Sequence, residues 1–205
     1  MSYKSLPKSF FNKSTLDIAK GLLGKYIIHQ TKEGLVAGKI VETEAYLIDD
    51  PASHSFNGET NRNKSMFMKA GTSYVYFTYG MYHCFNVVTN KEGVGEAVLI
   101  RALEPVEGLE VMKRNRGKKG TEFSDARNLC SGPAKLVIAL GITKEHDGLD
   151  LLSDDSPLRL AQREKEKTGE KESFEIVETT RIGISKGASL PHRFYIKGSA
   201  FVSRK

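Results

Sequence analysis

Short runs rich in Val, Ile, Tyr and Thr, set apart by turn-forming residues, recur along this chain and limit the folds that it can adopt. These strand-like runs are residues 25–31, 36–48, 73–79, 83–89, 95–103, 174–184 and 193–203. Glu33-Gly34 can turn the chain between the first two runs, and Gly80-Met81 lies at the apex between the next two. Strands joined by such short turns pair antiparallel. The pattern therefore predicts a mostly antiparallel sheet.

Three other segments have the start and stop residues of helices. The predicted helices are residues 14–23, Glu104-Pro105 through about Arg116, and Pro133 to Leu140. Ser14 or Thr15 can cap the first helix. Ser131 can cap the third, and Gly141 ends it. Helices beside an antiparallel sheet indicate the α+β class, and no shift in composition marks a domain boundary.

The charge and the apolar content of the chain bound its partners. Lys and Arg number 31 against 25 Asp and Glu, and the net charge of +6 permits a polyanionic partner without requiring one. Basic residues cluster at 113–119 and again over 181–205, on what we expect to be the protein surface, and the alternative to a polyanion-binding patch is an ordinary solvated surface. The chain has neither the ~18-residue apolar run of a membrane span nor, at its start, the apolar region of a secretory signal. Cys84 and Cys130 form no CxxC unit, so we expect inert cytosolic thiols and no metal site.

The segment KIVETEAYL, residues 39–47, places two acids and a tyrosine on one side of a strand. Glu42, Glu44 and Tyr46 share a face because strand side chains alternate with a period of two. Such a face makes a poor core and must reach solvent or line a polar site. A glutamate beside an aromatic ring can act as a general base. The alternative is the solvated face of an edge strand.

The segment YVYFTYGMYHCFN, residues 74–86, contains half of the chain's eight tyrosines. Hairpin tips are usually small and polar, so a tip with Tyr79, Met81 and Tyr82 is unusual. A protruding aromatic tip can enter a DNA groove and replace an extracted base. The tyrosines before the tip can stack on a base. The alternative is a core hairpin covered by other elements.

Arg101 stands in the middle of the apolar run AVLIRALEP, where a charged side chain needs a partner. Glu44 is a candidate partner. The alternative is an arginine that faces outward at a strand end. His54, in a turn-rich loop, tells little by itself.

Taken in order, these segments resemble the alkyladenine DNA glycosylase family, also called the methylpurine or 3-methyladenine DNA glycosylases of the mammalian type, in a member of bacterial length. The matching stretches are VETEAYL at 41–47, HS at 54–55, NRNKSMFMKAGTSYVYFTYGMY at 61–82, LIRALEP at 99–105, LCSGPAKL at 129–136, and RIGIS with RFYIKGSAFVS near the C-terminus. The resemblance implies one glycosylase domain over residues 1–205, with a curved antiparallel sheet, flanking helices and a β-hairpin that projects into the minor groove.

The resemblance also implies roles for individual residues. Glu44 corresponds to the base that deprotonates the attacking water, Arg101 to an arginine that holds this water, and Ile182 to a residue whose backbone carbonyl contacts it. The base pocket corresponds to Tyr46, His54, Tyr76 and Asn86. Tyr46, His54 and Tyr76 form its walls, whereas the asparagine crowds the 2-amino group of normal guanine.

The same resemblance gives expectations for the DNA-contacting surface. Tyr79 corresponds to the tyrosine that fills the space vacated by the flipped base. Met81 and Tyr82 lie beside it and are expected to touch the groove. Lys135, near the start of a helix, is a candidate for a phosphate contact, because helix N-termini attract anions.

The reaction implied is hydrolysis of the N-glycosidic bond of a damaged purine in double-stranded DNA, which leaves an abasic site without strand cleavage. The expected lesions are 3-methyladenine, 7-methylguanine, hypoxanthine and ethenoadenine. A carboxylate near the sugar can stabilise oxocarbenium character and take a proton from water. We expect no metal, no cofactor and no membrane contact. We also expect a monomer that is cytoplasmic and nucleoid-associated in a bacterium, or nuclear in a eukaryote.

Two other functions stay open at this level. A non-catalytic binder of damaged or distorted DNA could use the same hairpin, but it gains nothing from an acid such as Glu44 near phosphates. A glycosidase for free nucleosides or sugars could use the acid, but it has no use for a basic surface or an exposed aromatic tip. Salt dependence of substrate affinity separates the second from a DNA enzyme.

Overall fold

One antiparallel sheet organises the chain in the computed structural model, which describes residues 2–78, 80–117, 125–164 and 173–204. Its strands are β1 (Tyr3–Ser5), β2 (Tyr26–Thr31), β3 (Gly34–Tyr46), β4 (Ser73–Thr78), β5 (Tyr82–Val88), β6 (Ala97–Glu107), β7 (Leu158–Arg163), β8 (Ile176–Thr179) and β9 (Arg193–Ile196). The order is β1-β7-β2-β3-β6-β5-β4, and β9 joins β8 to β3. With three α-helices beside this sheet, the predicted α+β class is confirmed.

The helices cover the sheet with apolar side chains. They are α1 (Thr15–Leu22), α2 (Leu109–Arg116) and α3 (Pro133–Leu140). Ile18 and Leu22 of α1 and Leu136 of α3 are fully buried, because α1 packs on β3 while α3 packs on β5 and β6. Burying each such side chain stabilises the fold by about 1.5–3 kcal/mol. In the described part of the chain, no helix has the length and apolar character needed to span a membrane.

Strand β3 is the centre of the sheet and has partners on both edges. Its first half pairs with β2, its second half pairs with β9 at residues 42–44, and β6 runs along the other edge. Glu42 and Glu44 are therefore enclosed, and both are 0% exposed. The alternative of a solvated edge strand is wrong.

The pairing of β3 with β6 contains a bulge at Arg101. Glu42 lies opposite Ala102, whereas Thr43 lies opposite Ile100, so Arg101 is an extra residue between them. A bulge bends its strand and redirects the side chain of the extra residue. Arg101 thereby turns toward the acids of β3.

The predicted helix start at Glu104-Pro105 is wrong, because β6 continues to Glu107 and α2 begins at Leu109. Pro105 fits this strand because β5 covers only residues 97–99 of β6. Proline lacks an N–H group and is tolerated along such an unpaired edge. Gly108 precedes the helix with φ +72°, and a Cβ there would lie 2.5 Å from the Leu35 carbonyl oxygen.

The other predicted elements differ mainly at their ends. Helix α3 has the predicted bounds, but Gly132 precedes it without a side-chain cap, so the assignment of Ser131 as its cap is wrong. Ser131 instead bridges to Ala102 of β6. The two C-terminal strands are shorter than predicted, and the sequence contains no clear pattern that predicts strands β1 and β7.

Cys84 and Cys130 are buried free thiols, and burial raises the pKa of Cys130 to about 12.

A histidine pair joins β2 to the short 3-10 turn at Lys144–His146. His29 Nδ1 bonds the carbonyl oxygen of Leu140 at 2.7 Å and therefore carries the proton. His146 Nδ1 accepts from the N–H of Thr143, so its Nε2 donates to His29 Nε2 at 3.1 Å. Burial, and next the proximity of His29, lower the pKa of His146 below 6.5. The His146 ring is neutral in this arrangement, and its protonation at Nδ1 breaks the hydrogen bond from the Thr143 N–H.

We expect the free energy of unfolding to fall as the pH is lowered from about 7 to 5. The unfolded chain takes up a proton at His146 near pH 6.5, whereas the folded chain resists it until the pH reaches the lower folded pKa. Stability from this group is therefore complete above pH 6.5 and is lost below it. Urea unfolding at several pH values measures the slope. His146→Asn should reduce this slope, and an equal slope in both proteins would contradict the assignment.

Candidate active site

The carboxylate of Glu44 lies fully buried near the end of β3 and accepts several hydrogen bonds. The Tyr46 hydroxyl donates to Oε2 at 2.9 Å, and Arg101 Nη1 lies 3.2 Å from the same oxygen. The backbone N–H of Ile182 donates to Oε1 at 2.8 Å. A carboxylate offers about four acceptor positions. The donors found in the described residues leave a position on Oε1, beside Ile182, for a group such as water.

A cavity of about 340 Å³ lies beside the residues that hold this carboxylate. It is lined by Tyr46, Ala52, His54, Met66, Tyr74, Tyr76, Thr78, Cys84, Asn86, Leu99, Arg101, Pro133, Ile182, Gly183 and Ile184. Its size falls in the range of roughly 300–1,000 Å³ for small-molecule pockets. Glu44 is not part of the lining, although three residues that contact its carboxylate, Tyr46, Arg101 and Ile182, are. Any water that reaches the Glu44 carboxylate from the cavity must pass between these three residues.

Four residues assigned to the base pocket from the sequence lie together on the cavity wall: Tyr46, His54, Tyr76 and Asn86. Arg101 and Ile182, assigned to the attacking water, line it as well. The carbonyl of Ile182 was expected to contact that water, and the structure adds a contact of its N–H with Glu44. What these residues bind stays a prediction.

Three aromatic side chains form one side of the cavity. The ring centroids of His54 and Tyr76 are 4.5 Å apart in an edge-on arrangement, and those of Tyr74 and Tyr76 are 5.3 Å apart. The Tyr74 hydroxyl is 2.8 Å from His54 Nδ1. Burial raises the pKa of Tyr76 well above its ordinary value, and the neighbouring Cys84 adds to this. The Tyr76 hydroxyl therefore stays protonated.

Tyr46 and His54 are also held in their neutral forms. Burial and, next, the charge of Glu44 raise the pKa of Tyr46 far above its ordinary value. Partial burial and the charge of Arg62 lower the pKa of His54. At neutral pH the cavity is thus walled by uncharged rings, which suits stacking on a flat, electron-poor base.

The side-chain amide of Asn86 is fixed in orientation within the wall. Its Nδ2 donates to the Tyr74 carbonyl oxygen at 3.0 Å, and the residue is 4% exposed. Cys84 joins the wall because it lies opposite Tyr76 in the β4–β5 register. Cys84 and Met66 were not predicted to belong to the pocket, although the hairpin register alone could have indicated Cys84.

A buried ion pair lies next to Tyr46 of the cavity wall and was not predicted from the sequence. Arg181 and Asp50 form two hydrogen bonds, one of 3.0 Å, and their side chains are 0% and 1% exposed. Arg181 also donates to the Ala45 carbonyl oxygen at 3.0 Å, and its guanidinium carbon lies 4.6 Å from the ring centre of Tyr46. The pair ties the loop that carries His54 to β3 and to the loop at 181–184.

The assignment of the 181–205 segment as a surface patch of positive charge is therefore wrong for two of its arginines. Arg181 and Arg193 are each 5% exposed. Arg181 is paired with Asp50, and Arg193 is paired with Glu42 at 2.7 Å. Their charges are balanced inside the protein and do not contribute free cations to its surface.

The outer end of the β4–β5 hairpin presents apolar side chains to solvent. Phe77, Met81 and Tyr82 are 50%, 66% and 38% exposed, so the alternative of a hairpin covered by other elements does not hold here. Tyr79, the expected wedge, lies outside the described residues. Thr78 lines the cavity, which places this end of the hairpin beside the cavity mouth.

The start of α3 lies at another side of the same cavity through Pro133. Lys135 is in the first turn of this helix, and its Nζ lies 3.4 Å from the Ser131 hydroxyl. Arg62, which the sequence analysis did not assign, donates to the Phe77 carbonyl oxygen at 3.3 Å and adds an exposed cation beside the hairpin.

Comparisons with known proteins identify the relatives of this chain. The profile of the family described as methylpurine-DNA glycosylase matches residues 9–200. A protein of Francisella tularensis subsp. tularensis (strain FSC 198) is 52% identical over 191 residues, which cover 93% of this chain and 94% of that protein. Proteins of Methanoculleus marisnigri and Carboxydothermus hydrogenoformans are 50% and 48% identical, over 98% of this chain and 100% and 99% of theirs. All three are named, provisionally, as 3-methyladenine DNA glycosylases.

Proposed function

Because the chain belongs to the methylpurine-DNA glycosylase family and is a DNA glycosylase, we propose that it flips alkylated or deaminated purines out of duplex DNA and hydrolyses their N-glycosidic bonds. The proposed lesions are 3-methyladenine, 7-methylguanine, hypoxanthine and ethenoadenine. The observation that carries the proposal is the position of Glu44, directly behind a tyrosine-lined cavity and in contact with Tyr46 and Arg101. The product is an abasic site in an intact strand.

The proposed binding step uses the hairpin and the cavity together. The exposed apolar end of the hairpin enters the minor groove, and Tyr79 fills the space of the extracted base. Extraction of a base from the duplex costs a few kcal/mol. This cost is lowest for a weakly paired lesion, so extraction favours damaged over normal purines. The flipped base enters the cavity and stacks against Tyr76 and Tyr46. Lys135 and Arg62 lie where their charges can meet backbone phosphates.

The proposed chemical step is attack of water on the sugar carbon. Water occupies the open acceptor position on Glu44 Oε1 and lies near Ile182. As the bond to the base breaks, positive charge develops on the sugar and the Glu44 carboxylate stabilises it. Glu44 then takes one proton of the water while the oxygen bonds to the carbon. An N-alkylated purine carries positive charge and leaves readily, whereas hypoxanthine must gain a proton on its ring.

The test of this function incubates the protein with duplexes that carry a single 3-methyladenine, hypoxanthine, ethenoadenine or normal adenine, in the presence of a chelator. Heating in alkali then converts abasic sites to strand breaks. We expect breaks after alkali for at least one lesion and none before it. A duplex that is bound but never loses its base would favour the non-catalytic binder, and breaks without alkali would contradict simple hydrolysis.

The hairpin gives a prediction about affinity. Tyr79→Ala or Met81→Ala should weaken binding to lesion duplex by about 1–3 kcal/mol, because each removes a side chain that stacks on or wedges between bases. Fluorescence anisotropy with a labelled duplex measures the dissociation constant. Met68→Ala is the matched control, since Met68 is 38% exposed but lies outside the hairpin. Equal affinity of Met81→Ala, Tyr79→Ala and Met68→Ala would contradict the wedge.

Asn86 gives a prediction about selectivity. Asn86→Ser shortens the side chain whose amide is fixed against the Tyr74 carbonyl. The added space should raise the release of purines with a 2-amino group, such as 7-methylguanine, by about tenfold relative to adenine lesions. Single-turnover rates for both lesions give this ratio, and an unchanged ratio would remove Asn86 from selectivity.

A further inference from the structure

We propose that Glu42 positions the Arg101 guanidinium against Glu44, with Arg193 and Ser203 holding Glu42 in place. This inference rests on the proposed function, because its purpose is the alignment of Glu44 and Arg101 for attack by water. Glu42 does not line the cavity. It acts through Arg101 and is a positioning residue.

Glu42 is fully buried and accepts four described donors. Its Oε1 takes Arg101 Nε at 3.3 Å, Arg193 Nε at 2.7 Å and the Ser203 hydroxyl at 3.0 Å. Its Oε2 takes the Ser203 backbone N–H at 2.7 Å. A carboxylate that accepts four hydrogen bonds, with both of its oxygens engaged, is held in one orientation. Glu42 is therefore a fixed point on which another side chain can be aligned.

Arg101 needs such a fixed point, because it is the extra residue of a bulge in β6. Its side chain has long flexible torsions, and no strand residue lies directly opposite it to restrict them. Two carboxylates define its position: Glu42 receives Nε and Glu44 is near Nη1, at 3.3 and 3.2 Å. Contacts at two separate edges fix both the place and the plane of a guanidinium. Arg101 also lines the cavity.

The charges of this cluster also balance. Two acids, Glu42 and Glu44, are enclosed with two arginines, Arg101 and Arg193, all at 8% exposure or less. Arg193 is further held by the ring of Tyr195, 4.9 Å from its guanidinium carbon, and by the carbonyl oxygen of Arg204. Arg193 thus neutralises Glu42, so that Arg101 is shared between both acids and is not drawn to Glu42 alone.

The C-terminal segment closes the network. Ser203 is 161 residues from Glu42 in sequence, yet both its N–H and its hydroxyl bond to this carboxylate. A role in folding alone would require only that the buried charges be paired. A role in positioning requires in addition that Arg101 lose its alignment when Glu42 is neutral, even with the charges balanced.

The double variant Glu42→Gln/Arg193→Gln separates these two roles. It removes one negative and one positive charge, so the enclosed cluster stays neutral, while the charged partner of Arg101 Nε is lost. We expect single-turnover base release to slow by at least about tenfold, because small misplacements of catalytic groups have large effects on rate. The dissociation constant for lesion duplex should stay the same. A double variant with the wild-type rate would overturn the proposal.

A second variant covers the case in which the double variant does not fold. Glu42→Asp keeps the charge but withdraws the carboxylate by one methylene, and we expect the same loss in rate with unchanged affinity. Wild-type rates in Glu42→Asp would equally overturn the proposal. Ser203→Ala, which keeps its backbone N–H donor to Glu42, should lose less than either variant.

A readout that does not depend on activity completes the test. Proton exchange with water at Arg101 Nε–H, observed by nitrogen-15 NMR and assigned by its disappearance in Arg101→Lys, should be at least about tenfold faster in the Glu42 variants. An unchanged exchange rate would overturn the proposal. Should the wild-type protein release no base from any lesion duplex, the proposed function fails, and exchange alone decides whether Glu42 holds Arg101.

Discussion

Replacement of Glu44 by glutamine is expected to slow base release by about 100-fold to 10,000-fold, the range that a positioned general base contributes. Glutamine keeps the shape of the side chain and can still accept from the Ile182 N–H, which lies 2.8 Å from Oε1 in the wild type. Its amide cannot take a proton from water or stabilise positive charge on the sugar. The loss should therefore appear in the rate and not in the dissociation constant for lesion duplex.

Single-turnover assays with enzyme in excess isolate this step from product release. Glu96→Gln is the matched control, because Glu96 is a half-buried glutamate that accepts side-chain hydrogen bonds as Glu44 does, from Thr15 and Asn90, but has no contact with a residue of the catalytic proposal. The control should retain the wild-type rate. Full activity in Glu44→Gln, in a protein that melts as the wild type does, would remove Glu44 from the mechanism.

Replacement of Asp50 by asparagine is expected to give the largest loss of stability. It leaves the buried charge of Arg181 without its partner, and breaking a buried pair costs about 3–5 kcal/mol. For a protein of this size the midpoint of thermal unfolding should fall by roughly 6–20 °C. Base release should also fall, because Arg181 lies against Tyr46 and connects the loop of His54 to β3. Calorimetry or thermal circular dichroism measures the midpoint.

Asp150→Asn is a closely matched control for this change. Asp50 and Asp150 each accept from the backbone N–H two residues on, at 2.9 and 3.0 Å, and each pairs with one cation. The Asp150 side chain is 34% exposed and its partner Lys69 is 58% exposed, so the loss should be about 1 kcal/mol or less. Equal destabilisation by the two substitutions would show that burial of the Asp50–Arg181 ion pair does not determine the loss of stability.

Features that depend on local periodicity could be predicted from the sequence. The alternation in 36–48 and 73–89 predicted β3, β4 and β5, and with them the common face of Glu44 and Tyr46. Strand β3 is 13 residues long, so its alternation extends over enough residues to be recognised in the sequence. The hairpin register then brings Tyr76, Cys84 and Asn86 to one wall of the cavity.

Features that depend on distant contacts could not be predicted. Asp50 and Arg181 are 131 residues apart, and neither has a neighbour in sequence that indicates burial. Arg181 and Arg193 occur among other basic residues and were therefore assigned to the surface. Pro105 misled the prediction of α2, because proline is favoured both at a helix start and along an unpaired strand edge. Only the packing of β5 decides between these two cases.

The most direct test of the account is the structure of Glu44→Gln bound to a duplex with an uncleaved lesion base. We expect the base to lie in the cavity, stacked against Tyr76 with Tyr46 on the other side, and the sugar carbon to be within reach of residue 44 through one water molecule. A lesion that stays in the helix, or a sugar separated from residue 44 by the Tyr46 and Arg101 side chains with no water between them, would contradict it.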